Sequence, residues 1–146
     1  MVQSTEPSAF ACCATRPEDV KVDLLFVPVF EQDDRLTDLA GLDEASGGEI
    51  ARARASGEFR AKLYDVFITP VTGKGWKARR IALVGSGDPV DADAERLRRV
   101  AATCGYVARR RSAASIGWVV RRGLDGLRAA QHAADGLSAA EFEPGM

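Results

Sequence analysis

The sequence predicts an α/β fold in which a mixed, mostly parallel sheet lies between helical layers. Strand-like apolar segments alternate with amphipathic helical segments, in the order strand, strand, helix, helix, strand, strand, helix, strand, helix. The segment Leu24–Val27 is apolar on both faces, as in a central strand covered by helices on each side. Ile81–Val84 is a second apolar run, long enough for a buried strand and too short for a helix.

Composition predicts a single soluble domain. At 146 residues, a chain buries roughly 68–70% of the surface that its unfolded form exposes. The net charge of −1 gives no overall attraction to nucleic acid or to anionic membranes. Cys12 and Cys13 are adjacent and the third cysteine is unpaired, so no disulfide framework is indicated. The apolar run Ala9–Ala14 is too short for a signal peptide or a membrane span, and we expect a cytoplasmic protein.

Five segments are predicted strands. In chain order they are Phe10–Ala14 at an edge, Val22–Phe30 at the centre, Leu63–Val71, Arg79–Gly85 and Ser115–Val120. Pro28 removes one backbone donor near the end of the central strand. The glycines of Gly73–Gly75 predict a hairpin connection, so the third and fourth strands form an antiparallel pair.

Four segments are predicted helices. They are Leu36–Ala45, with Leu36, Leu39 and Ala40 on one face, Glu49–Ala55, Asp91–Arg111 and Asp125–Leu137. Gly47-Gly48 separates the first two, and Gly57 predicts a left-handed C-cap for the second. The third is the clearest, because acidic residues begin it, arginines end it and one apolar stripe runs along it. The stripe consists of Leu97, Val100, Ala101, Cys104, Val107 and Ala108.

The stretch Arg79–Pro89 contains the candidate ligand-binding residues Gly85, Ser86 and Gly87. A strand, a glycine turn and a helix follow one another here, and such a turn can present backbone N–H groups to an anion. The glycines match neither a dinucleotide-binding fingerprint nor a Walker loop, and Asp88 would oppose a bound anion. These observations favour a structural turn over a phosphate site, which remains the alternative.

Other catalytic chemistry finds little support in the sequence. His132 is the only histidine, the cysteines are not at metal-ligand spacing, and no HExxH or GxSxG pattern occurs. Cys104 faces the apolar stripe, which predicts a packed and inert thiol. The sequence therefore shows no active site.

The run Arg109–Arg111 has two interpretations. It is either a solvated helix end or a phosphate-contacting patch for nucleic acid. The chain is slightly acidic and no aromatic residues are interleaved with these arginines, so the first interpretation is favoured. Nucleic acid is accordingly an unexpected partner.

Four stretches together resemble the N-terminal domain of the leucyl (cytosol) aminopeptidase family. They are Val22–Phe30 followed by a leucine-rich helix, Gly47-Gly48 with a helix ending in Gly57-Glu58-Phe59, Arg79–Gly87, and Ala134–Leu137. Each is loose alone, and their order and spacing carry the resemblance, which extends from Phe10 to Phe142.

The resemblance implies a macro-domain-like fold and a hexameric parent enzyme that removes N-terminal residues from peptides. The family's catalytic domain holds two divalent metal ions, zinc or manganese, with an Asn-Thr-Asp-Ala-Glu-Gly-Arg motif that this sequence lacks. The chain is thus expected to be non-catalytic and to hold no cofactor itself. Its expected partners are its own catalytic domain and further copies in the hexamer, and its expected role is to aid assembly or substrate access. The expected organisation is a disordered extension over 1–8, the domain over 9–142 and the start of a linker over 143–146.

Two further functions follow from the same resemblance. Macro-like folds suggest binding of ADP-ribose or another phosphate-bearing ligand, but the residues Glu31–Asp34 after the central strand are acidic and unsuited to a pyrophosphate. Some bacterial members of the family bind DNA, and in this chain only Arg109–Arg111 supports that function.

Overall fold

The structure is a computed structural model that describes residues 16–31, 39–91, 93–119 and 121. Short 3₁₀ turns occur at Pro17–Asp19 and Pro89–Asp91. The remaining elements are, in chain order, β1 Leu24–Val29, α1 Leu42–Ala45, α2 Glu49–Ser56, β2 Val66–Pro70, β3 Arg80–Gly85, α3 Ala94–Arg110 and β4 Ile116–Trp118.

The four described strands form one sheet in the order β2–β3–β1–β4. Strand β1 is parallel to both its neighbours, with Phe26 opposite Ala82 of β3 and Trp118 of β4. Strand β2 is antiparallel to β3, so Gly73–Gly75 lies in the predicted hairpin connection. The predicted mixed, mostly parallel sheet with Val22–Phe30 at its centre is confirmed.

The sheet is buried on both faces. Alternate residues of β1 and β3 belong to two separate apolar clusters, because successive side chains of a strand point to opposite faces. One cluster contains Leu25, Val27 and Leu83 with residues of α1 and α2. The other contains Phe26 and Val84 with the apolar stripe of α3. Helices therefore cover both faces, as the doubly apolar strands predict.

Helix α3 follows the predicted stripe but begins later than predicted. Val100, Ala101, Cys104 and Ala108 are buried against the sheet. The predicted start at Asp91 is wrong, because Asp93 has extended backbone and is the N-cap, its Oδ1 accepting a hydrogen bond from the Arg96 N–H at 2.8 Å.

The first predicted helix is shorter where the structure describes it. Residues 36–38 lie outside the described part, and α1 begins only after Gly41, whose φ of +85° interrupts helical backbone. Ala40 is exposed and precedes α1, so its predicted place within the helix is wrong. The predicted break and C-cap around α2 are confirmed, since Gly48 and Gly57 are both left-handed.

Strand β2 lies at an edge of the sheet among the described residues. The Val71 N–H donates to the Arg79 carbonyl at 3.0 Å, and in the observed register this pairing repeats at every second residue. The main-chain groups of Val66, Ile68 and Pro70 therefore point away from β3, and Pro70 has no N–H to offer there.

Several predicted features lie outside the described residues, namely the strand Phe10–Ala14, the helix Asp125–Leu137 and His132. The predicted strand Ser115–Val120 is represented by the shorter β4. No helix in the described ranges has the length and apolar character needed to cross a membrane.

Candidate functional site

The turn Gly85–Gly87 lies where strands β3 and β1 end side by side. In open α/β sheets this carboxyl edge is where ligands usually bind, which makes the turn the first place to look for a site. The Ser86 N–H donates to the Val29 carbonyl at 2.9 Å, and the Glu31 N–H donates to the Gly87 carbonyl at 3.1 Å. These two bonds tie the turn to the chain that leaves β1.

A second segment, Ala61–Asp65, is hydrogen-bonded to the same turn, and we call it the closing loop. The Gly85 N–H donates to the Asp65 carbonyl, and the Tyr64 N–H donates back to the Gly85 carbonyl at 2.9 Å. The Gly87 N–H donates to the Ala61 carbonyl at 3.2 Å. With the bond from Ser86, all three turn N–H groups therefore have carbonyl partners within the chain.

The closing loop also explains why residue 85 is glycine. A Cβ atom at this position would lie 1.9 Å from the Lys62 carbonyl oxygen, closer than real Cβ atoms come to backbone. The absence of a side chain at Gly85 thus admits the main chain of the closing loop.

Two residues of the closing loop have left-handed backbone although neither is glycine. Ala61 has a φ of 59° and Tyr64 a φ of 70°, a conformation that costs about 1–2 kcal/mol per residue. Hydrogen bonds hold the loop in this form: the Arg60 N–H donates to Asp65 Oδ2 and the Asp65 N–H to the Lys62 carbonyl, both at 2.9 Å. An exposed ion pair joins Lys62 Nζ to Glu31 Oε1 at 3.1 Å.

The charged groups beside the turn have opposite signs. The Asp88 carboxylate accepts a hydrogen bond from the Val90 N–H at 2.9 Å and so remains within its own turn. A Cβ at Gly87 would lie 2.9 Å from Arg96 Nη1, so that guanidinium lies over the last residue of the turn. The N-cap Asp93 adds a further carboxylate at the start of α3.

The predicted nucleic-acid patch Arg109–Arg111 is exposed at the opposite end of α3. The helix has 17 residues and is therefore about 25 Å long, with the patch at its C-terminal end and Arg96, which lies over Gly87, in its first turn. Glu95 pairs with two other arginines of the helix, accepting a hydrogen bond from Arg99 Nε at 2.9 Å and contacting Arg98. The structure does not bring the two candidate sites together.

The residues that the structure describes do not fit a metal centre. Within the described ranges, no group of three or more His, Cys, Asp or Glu side chains is arranged to hold a metal ion. Cys104 is fully buried, and this burial raises the pKa of its thiol well above the ordinary value of 9.0. Burial therefore disfavours the thiolate, as expected for a packed cysteine.

Sequence reasoning missed two features at this edge of the sheet. The sequence did not predict the closing loop, because alanine and tyrosine, found at Ala61 and Tyr64, are not residue types typical of left-handed backbone. Arg121 is buried, and its Nη1 donates to the Pro28 carbonyl at 2.6 Å. Pro28 could have indicated the Arg121 contact, because a proline in a central strand interrupts the regular hydrogen-bond ladder with the neighbouring strand.

Known proteins share the sequence pattern and the fold of this chain. The model of the cytosol aminopeptidase family, N-terminal domain, matches residues 26–144. The chain belongs to this family. A mutant of tomato leucine aminopeptidase has the same fold, with a TM-score of 0.70 and 20% sequence identity over 88% of this chain. The chain spans 27% of the length of that relative.

A second solved structure supports the macro-like α/β fold. It is the macrodomain of Mycobacterium tuberculosis DarG, with a TM-score of 0.63 and 13% identity. The match covers 87% of this chain and 88% of the macrodomain. At these identities, both structures are evidence for the fold alone. No curated protein sequence matches the chain.

Proposed function

We propose that this chain is the non-catalytic accessory domain of a cytoplasmic metallo-aminopeptidase, and that it aids assembly or substrate access. The observation that supports the proposal is the family match over residues 26–144. The parent enzyme removes N-terminal amino acids from peptides, and its two zinc or manganese ions belong to a separate catalytic domain. The accessory domain is proposed to occupy residues 9–142.

The partners of this domain are its own catalytic domain and further copies in a hexamer. The length relation supports the catalytic domain as a partner, because the chain spans only 27% of the tomato leucine aminopeptidase chain. The remaining, larger part of the relative's chain is the part that would lie beside a domain of this size.

Hydrolysis of leucine p-nitroanilide tests whether catalysis resides in the separate catalytic domain and not in this chain. The isolated chain with added Zn²⁺ or Mn²⁺ is expected to release no nitroaniline above the metal-only control. The longer polypeptide that includes the catalytic domain is expected to hydrolyse the substrate. Turnover by the isolated chain that persists after repurification and disappears with a chelator would refute the non-catalytic assignment.

Deletion of this domain from the longer polypeptide distinguishes a role in assembly from a role in substrate access. If the domain aids assembly, the truncated enzyme is smaller than a hexamer by light scattering after size-exclusion chromatography. If it aids access, the truncated enzyme stays hexameric but loses activity on long peptides more than on leucine p-nitroanilide. An unchanged mass together with unchanged activity on both substrates would contradict the accessory role.

A further inference from the structure

We propose that the closing loop Ala61–Asp65 fills the space and takes the hydrogen-bond donors of the turn Gly85–Gly87, so that the domain does not bind phosphate-bearing ligands there. The macro-like fold is kept while its carboxyl-edge turn is closed by the protein's own main chain. Closure of the turn is independent of the accessory role, because it concerns only which ligands the turn can bind.

The hydrogen-bond donors that an anion needs are already in use. A phosphate at a turn of this kind is held by several main-chain N–H groups that converge on its oxygens. Here the N–H groups of Gly85, Ser86 and Gly87 donate to the carbonyls of Asp65, Val29 and Ala61. A phosphate would have to replace these carbonyls and leave them without donors, at a cost for each one that stays buried.

The space over the turn is also taken. The Lys62 carbonyl oxygen lies so close over Gly85 that even a methyl group would not fit between them. A carbonyl oxygen carries partial negative charge, so the closing loop presents the same kind of atom that a phosphate would bring. The loop therefore excludes the ligand by volume and by the partial negative charge of its carbonyl, while the Asp88 carboxylate next to the turn opposes the attraction of the Arg96 guanidinium over Gly87.

Contacts beyond the turn hold the closing loop in place. Ala61 is buried, and Phe59 just before it lies in the apolar cluster on the α1 and α2 face. The Asp65 carboxylate accepts a hydrogen bond from the Arg60 N–H, which ties the last residue of the loop to the residue that precedes it. Two residues in a disfavoured left-handed conformation persist only where the surrounding structure holds them, as these contacts do.

Amide chemical shifts of the 146-residue chain test ligand exclusion directly. The ¹⁵N-labelled protein is titrated with inorganic phosphate and, separately, with ADP-ribose, each to about 10 mM. We expect the amide signals of Gly85, Ser86 and Gly87 to show no saturable shift with either probe. A saturable shift centred on these three amides, with either probe, would overturn the proposal.

Hydrogen exchange tests whether the closing loop stays on the turn. The amides of Tyr64 and Gly87 are expected to exchange slowly in the native protein, and Gly85→Ala is expected to accelerate both by at least roughly tenfold. Gly73→Ala is the control for a milder clash, since its Cβ would lie 3.1 Å from the Glu44 carbonyl oxygen, a tight contact that requires its neighbour to shift by a few tenths of an ångström, against 1.9 Å from the Lys62 carbonyl oxygen at Gly85. Rapid exchange in the native protein, or exchange in Gly85→Ala equal to that in the control, would show that the turn is not closed. If Gly85→Ala does not fold, Asp65→Ala is the second variant, and the same acceleration is expected because the tie to Arg60 is lost.

Discussion

The guanidinium of Arg121 donates from Nη1 to the carbonyl oxygen of Pro28 across 2.6 Å, beside the centre of the sheet. Strand β4 pairs with β1 only as far as Phe26 opposite Trp118, so Pro28 lies beyond the end of that pairing. The Val119 N–H donates to the Phe26 carbonyl, which places the carbonyls of Phe26 and Pro28 on the same side of β1. Arg121 thus supplies a side-chain donor to the Pro28 carbonyl beyond the described end of the β1–β4 pairing.

Removing this donor is expected to destabilise the domain. Arg121→Met keeps much of the side-chain length but leaves a buried Pro28 carbonyl without this partner, at a cost of about 1.5–3 kcal/mol in the free energy of unfolding. Urea denaturation followed by circular dichroism measures the difference. Arg110→Met at an exposed position is the control, with an expected change within about 0.5 kcal/mol. Equal stabilities of the two variants would contradict a structural role for Arg121.

The N-cap of α3 makes a separate contribution to stability. Asp93→Ala removes the carboxylate that accepts the Arg96 N–H, and the expected loss is about 1 kcal/mol in the free energy of unfolding. Asp91→Ala is the comparison variant, because it removes the same charge from the preceding turn and breaks no N-cap bond. The capping assignment fails if both variants lose the same stability.

Glycine substitutions in the closing loop measure its backbone strain. Tyr64 and Leu63 are adjacent and similarly exposed, but only Tyr64 has a positive φ. We therefore expect Tyr64→Gly to be more stable than Leu63→Gly by about 1 kcal/mol, because glycine adopts the left-handed conformation without a Cβ penalty. Thermal and urea unfolding of the two variants give the comparison. A Tyr64→Gly variant that is the less stable of the two would mean that the left-handed backbone is not strained.

Burial of Cys104 predicts both low reactivity and a pH dependence. In a variant with Cys12 and Cys13 replaced by serine, we expect a disulfide reagent to label Cys104 only as fast as the protein unfolds. Because the pKa of the thiol is raised in the folded state, the folded form retains its proton at a pH where the unfolded form has lost it. The stability contribution of the protonated thiol is therefore complete below the unfolded pKa and decreases as the pH rises above about 9.

Replacement of the thiol by a group that does not titrate provides the control for this pH dependence. Cys104→Ala in the same background is expected to show a flatter decrease of unfolding free energy between neutral and alkaline pH. Parallel curves for the two proteins would rule out titration of Cys104 as the cause, and rapid labelling of the native protein would contradict its burial.

The arginine patch at the end of α3 makes nucleic-acid binding a testable alternative. We expect no retardation of duplex DNA in a gel at physiological salt, since the whole chain carries a net charge of −1. Salt-dependent retardation that disappears in the triple variant Arg109→Ala, Arg110→Ala, Arg111→Ala would establish the alternative instead. Replacement of Arg79 and Arg80 by alanine tests whether any such effect is specific to the patch.

The sheet and its helical faces could be predicted because their signals are local. The apolar residues on both faces of Leu24–Val27 required a central strand, and the stripe through Val100 and Cys104 required a helix with one buried side. Gly57 could be assigned as a C-cap because left-handed backbone after a helix strongly favours glycine.

The closing loop and the short α1 could not be predicted, since both depend on contacts between distant parts of the chain. The left-handed backbone at Ala61 and Tyr64 is imposed by bonds to the turn after β3, and residue type gives no indication of it. In the same way, Gly85 suggested a ligand turn although its lack of a side chain serves the Lys62 carbonyl. The leucine pattern before Ala45 suggested a long helix, and left-handed backbone at Gly41 prevents it.

The outward-facing side of β2 limits how copies of the domain can associate. Two such edges aligned antiparallel would offer three carbonyls each but only the N–H groups of Val66 and Ile68, because Pro70 contributes none. A ladder between copies would therefore remain incomplete, and its growth into a continuous β-stack is disfavoured. A single imino acid at this edge of the described sheet thus makes β2 a poor template for strand addition.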